Sequence, residues 1–388
     1  MGAAVHYLML FLVGLVVTVA TTPLAKRVAE HFGAIDKPDP RRINKVPIPR
    51  MGGIAMACGL LAACLVQVAG TVWLGWPTMF VPHEQLAGVD YKLLGVGVLA
   101  VFLTGAIDDV VSLKPKQKML GQVLGACIAA AAGLVIGNIA NPLTGQVVPI
   151  GWLAYPITAV YLVAFTNVVN LIDGLDGLAA GITAISCAAM FYLSCEAHQL
   201  DAAILAITLA GCCLGFLRYN FHPASIFMGD CGSNMLGFLL GVVALLGVNR
   251  VAAATTLIVP LVIAGVPIID TFAAIVRRRR GHTSIAQADA GHIQHRLIKQ
   301  GFDQRQAALM IYGWSILLAA GAILMTKVSI IWRFVVFAVL LVVSALLMKK
   351  LHLCEPVLLH RRNPMTQADE IVTVEQAAEE DAQASAVK

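Results

Sequence analysis

Charge is what this sequence lacks. Only 13% of its 388 residues are Asp, Glu, Lys or Arg, about half of the ~25% usual in soluble domains. With 59% hydrophobic residues and a mean hydropathy of +0.82, the chain has too little polar surface to be a water-soluble globule. Strict apolar/polar alternation is missing as well, which excludes a membrane β-barrel, whereas apolar runs of about 17 to 25 residues suit membrane-crossing helices. The first run, Val5 to Ala20, has neither a basic n-region nor an A-x-A cleavage site, so it is expected to be a retained helix. The nine cysteines lie mostly inside apolar runs, where Cys packs as a small hydrophobe, and their spacing forms no disulfide framework or zinc motif. There is no internal repeat or matched pair of broken helices of the transporter kind.

What is present is an all-α pattern, a polytopic membrane helical bundle. About eleven spans start near residues 3, 51, 93, 118, 150, 178, 202, 233, 251, 308 and 329. With the N-terminus outside, the inner segments are about 26–50, 108–118, 166–177, 218–232, 276–307 and 349–388, and they hold 23 of the 27 Lys and Arg residues. Only Lys92, Arg250, Lys327 and Arg333 fall elsewhere. This bias predicts an outer N-terminus and a cytoplasmic C-terminus. Residues 1–352 form the expected membrane domain. Residues 353–388 are a polar tail expected to be disordered or loosely helical.

Against this background the stretch NVVNLIDGLDGLAAG, Asn167 to Gly181, concentrates polar groups. Asp173 and Asp176 are three apart and so share a helical face, while Gly174 and Gly177 let a ligand approach the backbone. A lone Asp-Gly pair is ordinarily a capped turn. Here Asn167 and Asn170 precede the pair, and Asp108, Asp109 and Asp230 lie on other loops of the same inner face. Carboxylates at a membrane boundary are costly unless paired or cation-bound, so one shared site is the economical reading.

The neighbouring loops supply candidate partners. Lys45 and Arg50, in a proline-rich basic loop, suit phosphates as a point charge and a planar fork; for Arg41 and Arg42, and less so for Lys45, an anchor touching anionic lipid is the bland alternative. Asp108 and Asp109 repel each other unless a cation or proton intervenes. Hard oxygen donors favour Mg2+, or Mn2+, completed by substrate phosphates. Lys114, Lys116 and Lys118 add positive charge. Asp230, between glycines before an apolar helix, suits either an N-cap or a metal ligand, and Phe227 either packing or base stacking. Arg277, at the head of four arginines, joins His292, His295 and Arg296 as a candidate diphosphate clamp. The two histidines lack a third zinc partner. Asp270 is expected to pair with one of the arginines.

The motifs PRMGG, DDxxxLxxxxK, NxxNLIDGLDGLAAG, NxxPAxxFMGDxGS and HIQHRL, in that order over about residues 20 to 325, resemble the polyprenyl-phosphate N-acetylhexosamine-1-phosphate transferase family. That family includes bacterial phospho-MurNAc-pentapeptide translocase, bacterial GlcNAc-1-phosphate transferases and a eukaryotic dolichol counterpart. The resemblance implies a Mg2+-dependent enzyme of the bacterial cytoplasmic membrane, with its active site on the cytoplasmic face. Its partners would be a UDP-HexNAc donor, undecaprenyl phosphate and membrane lipid, with no nucleic acid and with a homodimer as the expected assembly.

By motif, Asp108 and Asp109 would engage the lipid phosphate, and Asn170, Asp230 and Asp108 would hold the metal. Asp173, Asp176, Gly174 and Leu175 would lie near the nucleotide, with Phe227 against uracil. Lys45 and Lys118 would meet the diphosphate and lipid phosphate, and Asn220 matches the NxxPA asparagine. The loop SIAQADAGHIQHRL is similar to that of the GlcNAc-1-phosphate transferases, although Gln294 replaces a histidine and Ile285-Ala286 replaces Pro-Phe or Pro-Met. The expected reaction makes undecaprenyl-diphospho-GlcNAc and UMP, at the first membrane step of a cell-envelope polysaccharide such as lipopolysaccharide or teichoic acid. UDP-MurNAc-pentapeptide or another UDP-HexNAc is the alternative donor. A cation-coupled transporter is the remote rival, but it expects acidic groups near the bilayer midplane.

Overall fold

The computed structural model describes residues 3–36, 46–77, 88–140, 146–247, 254–280, 291–355, 358–362 and 369–373. Helix α1 (Ala3–His31) leads through a short β1–β2 ladder (Ile35–Asp36 with Ile48–Pro49) to α2 (Gly53–Leu74), α3 (Tyr91–Val111) and α4 (Pro115–Ala131). A β3–β4 hairpin (Asn138–Ala140 with Val147–Pro149) precedes α5 (Ala154–Ile172), α6 (Leu178–Glu196), α7 (Leu200–Asn220) and α8 (Gly229–Gly247). The chain then runs through α9 (Ala254–Ile263), α10 (Gly265–Arg280), the short α11 (Ile293–Lys299), α12 (Gln304–Lys327) and α13 (Ile330–Lys350).

Helix starts follow local chemistry. Asp90 caps α3 by accepting from the Lys92 and Leu93 amides, at 3.0 and 3.2 Å. Asp303 and Gln306 form a reciprocal box on α12, which satisfies amides that the helix itself leaves orphaned. Pro115 opens α4, where its missing N–H costs nothing.

Among the described residues nine helices are long and apolar enough to cross a membrane, so the chain is an all-α polytopic membrane protein. Of the eleven starts read from the sequence, the two outside this set are α4, with 17 residues, and the start near 251. The latter falls on α9 and α10, which are divided at Ala264, with Pro260 inside α9 and Pro267 in the first turn of α10. Proline removes a backbone donor and crowds the preceding turn.

Helix α8 is the axis of the bundle: 83% of its most apolar window is buried, against 11% for α13. A helix apolar all round belongs inside. The bundle has two chemically distinct ends. One gathers the start of α8, the end of α3 and the α5–α6 loop, with their aspartates. The other exposes Trp73, Trp152 and Trp332, with Tyr155 and Tyr192, an aromatic belt of the kind found at headgroup depth.

All nine cysteines are free. In the tail, where the sequence suggests no fixed element, β5 (Leu358–Arg362) pairs antiparallel with β6 (Asp369–Thr373). The register sets Arg361 opposite Glu370 and Arg362 opposite Asp369.

Candidate active site

The site begins where α2 meets α8. The Phe227 amide donates to the Pro49 carbonyl at 2.8 Å, and the Gly52 and Gly53 amides donate to the Phe227 and Met228 carbonyls, both at 2.9 Å. PRMGG therefore clamps the segment that opens α8. A Cβ on Gly53 would lie 2.2 Å from the Gly232 amide nitrogen, so the approach is backbone against backbone.

The adjacent carboxylates of α3 point to different tasks. Asp109 is buried, and its two oxygens accept the amides of Asp230 and Cys231, at 2.8 and 3.0 Å. It thus caps α8 from a neighbouring helix, where an anion also meets the positive end of the helix dipole. Gly229, at φ +73°, makes this possible, because a Cβ there would lie 2.5 Å from the Asp109 carboxylate. The Arg50 fork closes on the Asp109 carbonyl at 2.9 and 3.2 Å, so it secures the end of α3 while lining the cavity.

Asp108 turns the other way, toward α4. The Lys118 ammonium stands 2.6 Å from Asp230, 3.4 Å from Asp108 and 3.4 Å from the Asn170 carbonyl oxygen. Asn170 donates in turn to Asp230 and, at 2.8 Å, to Ser233. A second polar layer lies one turn deeper on the same three helices. Asn167 donates to Gln122 at 2.7 Å, and Gln122 to Asn234 at 3.3 Å. Gln122 and Asn234 are both buried. This layer ties α4, α5 and α8 together beneath Lys118, Asn170 and Asp230.

The α5–α6 loop is held from behind. Asp176 accepts from His222 Nδ1 at 2.7 Å and from the Ala224 amide at 3.0 Å. Asn220 accepts from the Gly177 amide at 3.1 Å and donates to the Ile226 carbonyl at 3.0 Å. The Tyr312 hydroxyl donates to the Gly177 carbonyl at 2.7 Å. Burial pushes the Asp173 carboxyl up to about 8, and the charges of Asp230, Asp109 and Asp176 add to the rise.

A carboxyl raised in the folded state binds more protons folded than unfolded. Metal-free protein should therefore lose this contribution as pH climbs from about 4, the unfolded value, to about 8. Asp173→Asn should flatten that decline, which thermal unfolding in EDTA at a series of pH values would reveal.

The histidine loop departs from expectation. Asp270 pairs with His292 Nδ1 at 2.7 Å and caps the Ile293 amide at 2.9 Å, so its partner is a histidine and a helix start rather than an arginine. The arginines begin two turns further along α10. Buried Arg277 donates to the Leu353 carbonyl and Arg296 to the Glu355 carbonyl. These two, with His292, tie the loop to the end of α13 and to α10; none of the three lines the cavity. His295 does line it. Gln294 is buried with its side-chain amide against Gly174, and Lys45 lies outside the described residues.

The resulting cavity, about 360 Å3, is bounded by Asp109, Asn170, Asp173, Gly174, Leu175, Asp176, Asn220, Phe227, Asp230 and His295, all singled out from the sequence. Asp108 and Lys118 adjoin it through Asp230. Asp36 and Gln304 also line it. The only local signal for these two is that Asp36 opens the basic loop.

These features define a membrane-embedded helical bundle with an acidic, oxygen-rich cleft at one end. The chain belongs to glycosyl transferase family 4, whose profile matches residues 91–248. It is 34% identical over 333 residues, 85% of this chain and 88% of the other, to a probable undecaprenyl-phosphate N-acetylglucosaminyl 1-phosphate transferase of Bacillus subtilis (strain 168). A decaprenyl-phosphate N-acetylglucosaminephosphotransferase of Mycolicibacterium smegmatis is 32% identical over 83% of each chain. A phospho-N-acetylmuramoyl-pentapeptide-transferase of Moorella thermoacetica is 34% identical over 73% of this chain and 86% of its own.

Proposed function

We infer that the protein transfers N-acetylglucosamine 1-phosphate from UDP-GlcNAc to undecaprenyl phosphate, giving undecaprenyl-diphospho-GlcNAc and UMP. The observation that carries this reading is the meeting of Lys118, Asp108, Asn170 and Asp230 at one end of the bundle, in a chain that matches such transferases over most of its length. A phosphate oxygen of the acceptor attacks the β-phosphorus of the donor. The bond from that phosphorus to the bridging oxygen breaks, and UMP leaves with the electron pair. The attacking oxygen is already anionic near pH 7, so positioning and charge neutralisation dominate over base strength.

The donor set fits a hard cation. Two carboxylates and an amide oxygen converge on one positive group, the Lys118 ammonium. Mg2+ takes few protein ligands and completes its shell with waters and substrate phosphates. Asp230, Asp108 and the Asn170 oxygen would hold Mg2+ or Mn2+, which when bound supplies charge neutralisation at the diphosphate.

Asp108 positions the acceptor phosphate beside Lys118. Asp109 acts through α8, fixing Asp230. Asp173, Gly174 and Leu175 face the nucleotide, and Phe227 packs on uracil. Asp176 and Asn220 hold that loop in shape, and Lys45 and His295 meet the diphosphate. The Lys and Arg bias supports an outer N-terminus and a cleft on the cytoplasmic face of a bacterial inner membrane; an eleven-span count and a homodimeric assembly belong to the same proposal.

UMP release by purified protein with undecaprenyl phosphate tests the donor. UDP-GlcNAc should support release and EDTA should abolish it, while UDP-GalNAc and UDP-MurNAc-pentapeptide should not substitute. Release from UDP-MurNAc-pentapeptide alone would transfer the assignment to the activity named for the Moorella relative.

A further inference from the structure

A second cavity, of about 330 Å3, opens at the end of the bundle opposite the acidic cleft. It lies among the last turns of α6, α8 and α12, part of α9 and the first turn of α13. The three long helices begin at the acidic end, so the two cavities are separated by on the order of 25 Å along them. The wall is apolar: Met190, Val243, Ala244, Val259, Ile263 and Met325 line it and are all buried.

The rim is charged. Lys327 pairs with Glu196 and sits over the Tyr192 ring at 5.5 Å, so these two charges offset each other. Arg333 is not offset in this way. Its Nε donates to the Met325 carbonyl at 2.9 Å, and its terminal nitrogens have no partner among the described residues. Among the described residues, one guanidinium without a carboxylate partner therefore stands over an apolar hollow.

Its depth in the membrane is marked by the neighbouring residue. Trp332 is exposed beside it, and Trp73, Trp152 and Tyr155 are exposed at the same end, the placement of interfacial aromatics. A guanidinium at that level presents donors that match phosphate oxygens, and the hollow below it matches an acyl chain. A soluble anion would leave the hollow unfilled. A zwitterionic lipid would bring a second cation toward Arg333.

We propose that this cavity binds an anionic glycerophospholipid of the leaflet opposite the acidic cleft, with the phosphate on Arg333 and one acyl chain between α6, α8 and α12. The site shares no residue with the cleft.

The test uses the full chain in nanodiscs of phosphatidylcholine containing a minority of phosphatidylglycerol, with retained lipid counted by native mass spectrometry. The expected result is preferential retention of phosphatidylglycerol. Arg333→Gln should lower that retention about fivefold, the effect of one basic group at a membrane surface, and leave phosphatidylcholine unchanged. Ala244→Phe, which fills the hollow, should remove the retained lipid. Both variants should keep UMP release, which also reports that they are folded. Should Ala244→Phe fail to fold, Arg333→Gln decides alone. Equal retention of the two lipids by the wild type, or an unchanged preference in Arg333→Gln, overturns the proposal.

Discussion

Asp230→Asn should lower lipid-dependent UMP release roughly a thousandfold, the loss seen when one preorganised electrostatic group is removed from an active site, or about 4 kcal/mol of transition-state stabilisation. The substitution is nearly isosteric. The new carboxamide would keep one of the two acceptor oxygens, enough for Lys118 or for Asn170, and the backbone amide at this position would still reach Asp109, which caps α8 independently of the side chain. The fold should therefore survive, with an unfolding temperature close to that of the wild type, because the lost pair with Lys118 and the relieved crowding against Asp108 oppose each other. A loss of activity accompanied by a loss of folded protein would instead make Asp230 a structural residue.

Gly53→Ala should have the largest effect on stability. The new methyl would lie 2.2 Å from the Gly232 amide nitrogen and 2.4 Å from its Cα. Backbone cannot rotate aside as a side chain can, so α2 and α8 must separate, at a cost near the upper end of overpacking, about 3 kcal/mol. Since the segment leading into α2 carries Arg50 and the contacts to Phe227, the site should loosen with the fold. Gly95→Ala, in α3 with nothing within 4 Å, should be neutral or stabilising, because Ala is the better helix former. Equal unfolding temperatures for the two variants, measured in detergent, would contradict the packing account.

The difference between these residues shows what the sequence could convey. Asn170, Asp173, Asp176 and Asp230 were legible because polar residues are rare in this chain, and the positive-inside bias placed them on one side. Neighbours in sequence were harder to separate. Asp108 and Asp109 look alike as a pair, but successive helical residues point about 100° apart, so one faces Lys118 and the other the start of α8. Nothing local indicates that the Arg50 fork would meet a backbone carbonyl, or that Asp270 would choose His292 over an arginine. Both choices depend on which helices become neighbours.

Gln122 and Asn234 are inconspicuous in the sequence for a different reason. Each is a single polar residue in or beside an apolar run, and only the bundle reveals that they meet Asn167 one turn below the site. The break between α9 and α10 was signalled by Pro260, Gly265 and Pro267, but uninterrupted hydrophobicity across them outweighed the signal.

The most direct test of the central claim follows the phosphorus. With UDP-GlcNAc labelled at the β-phosphate and undecaprenyl phosphate as acceptor, transfer of the sugar phosphate predicts label in the extracted lipid and unlabelled UMP in the aqueous phase. Label recovered as UDP would mean that only the sugar is transferred, and would contradict the account.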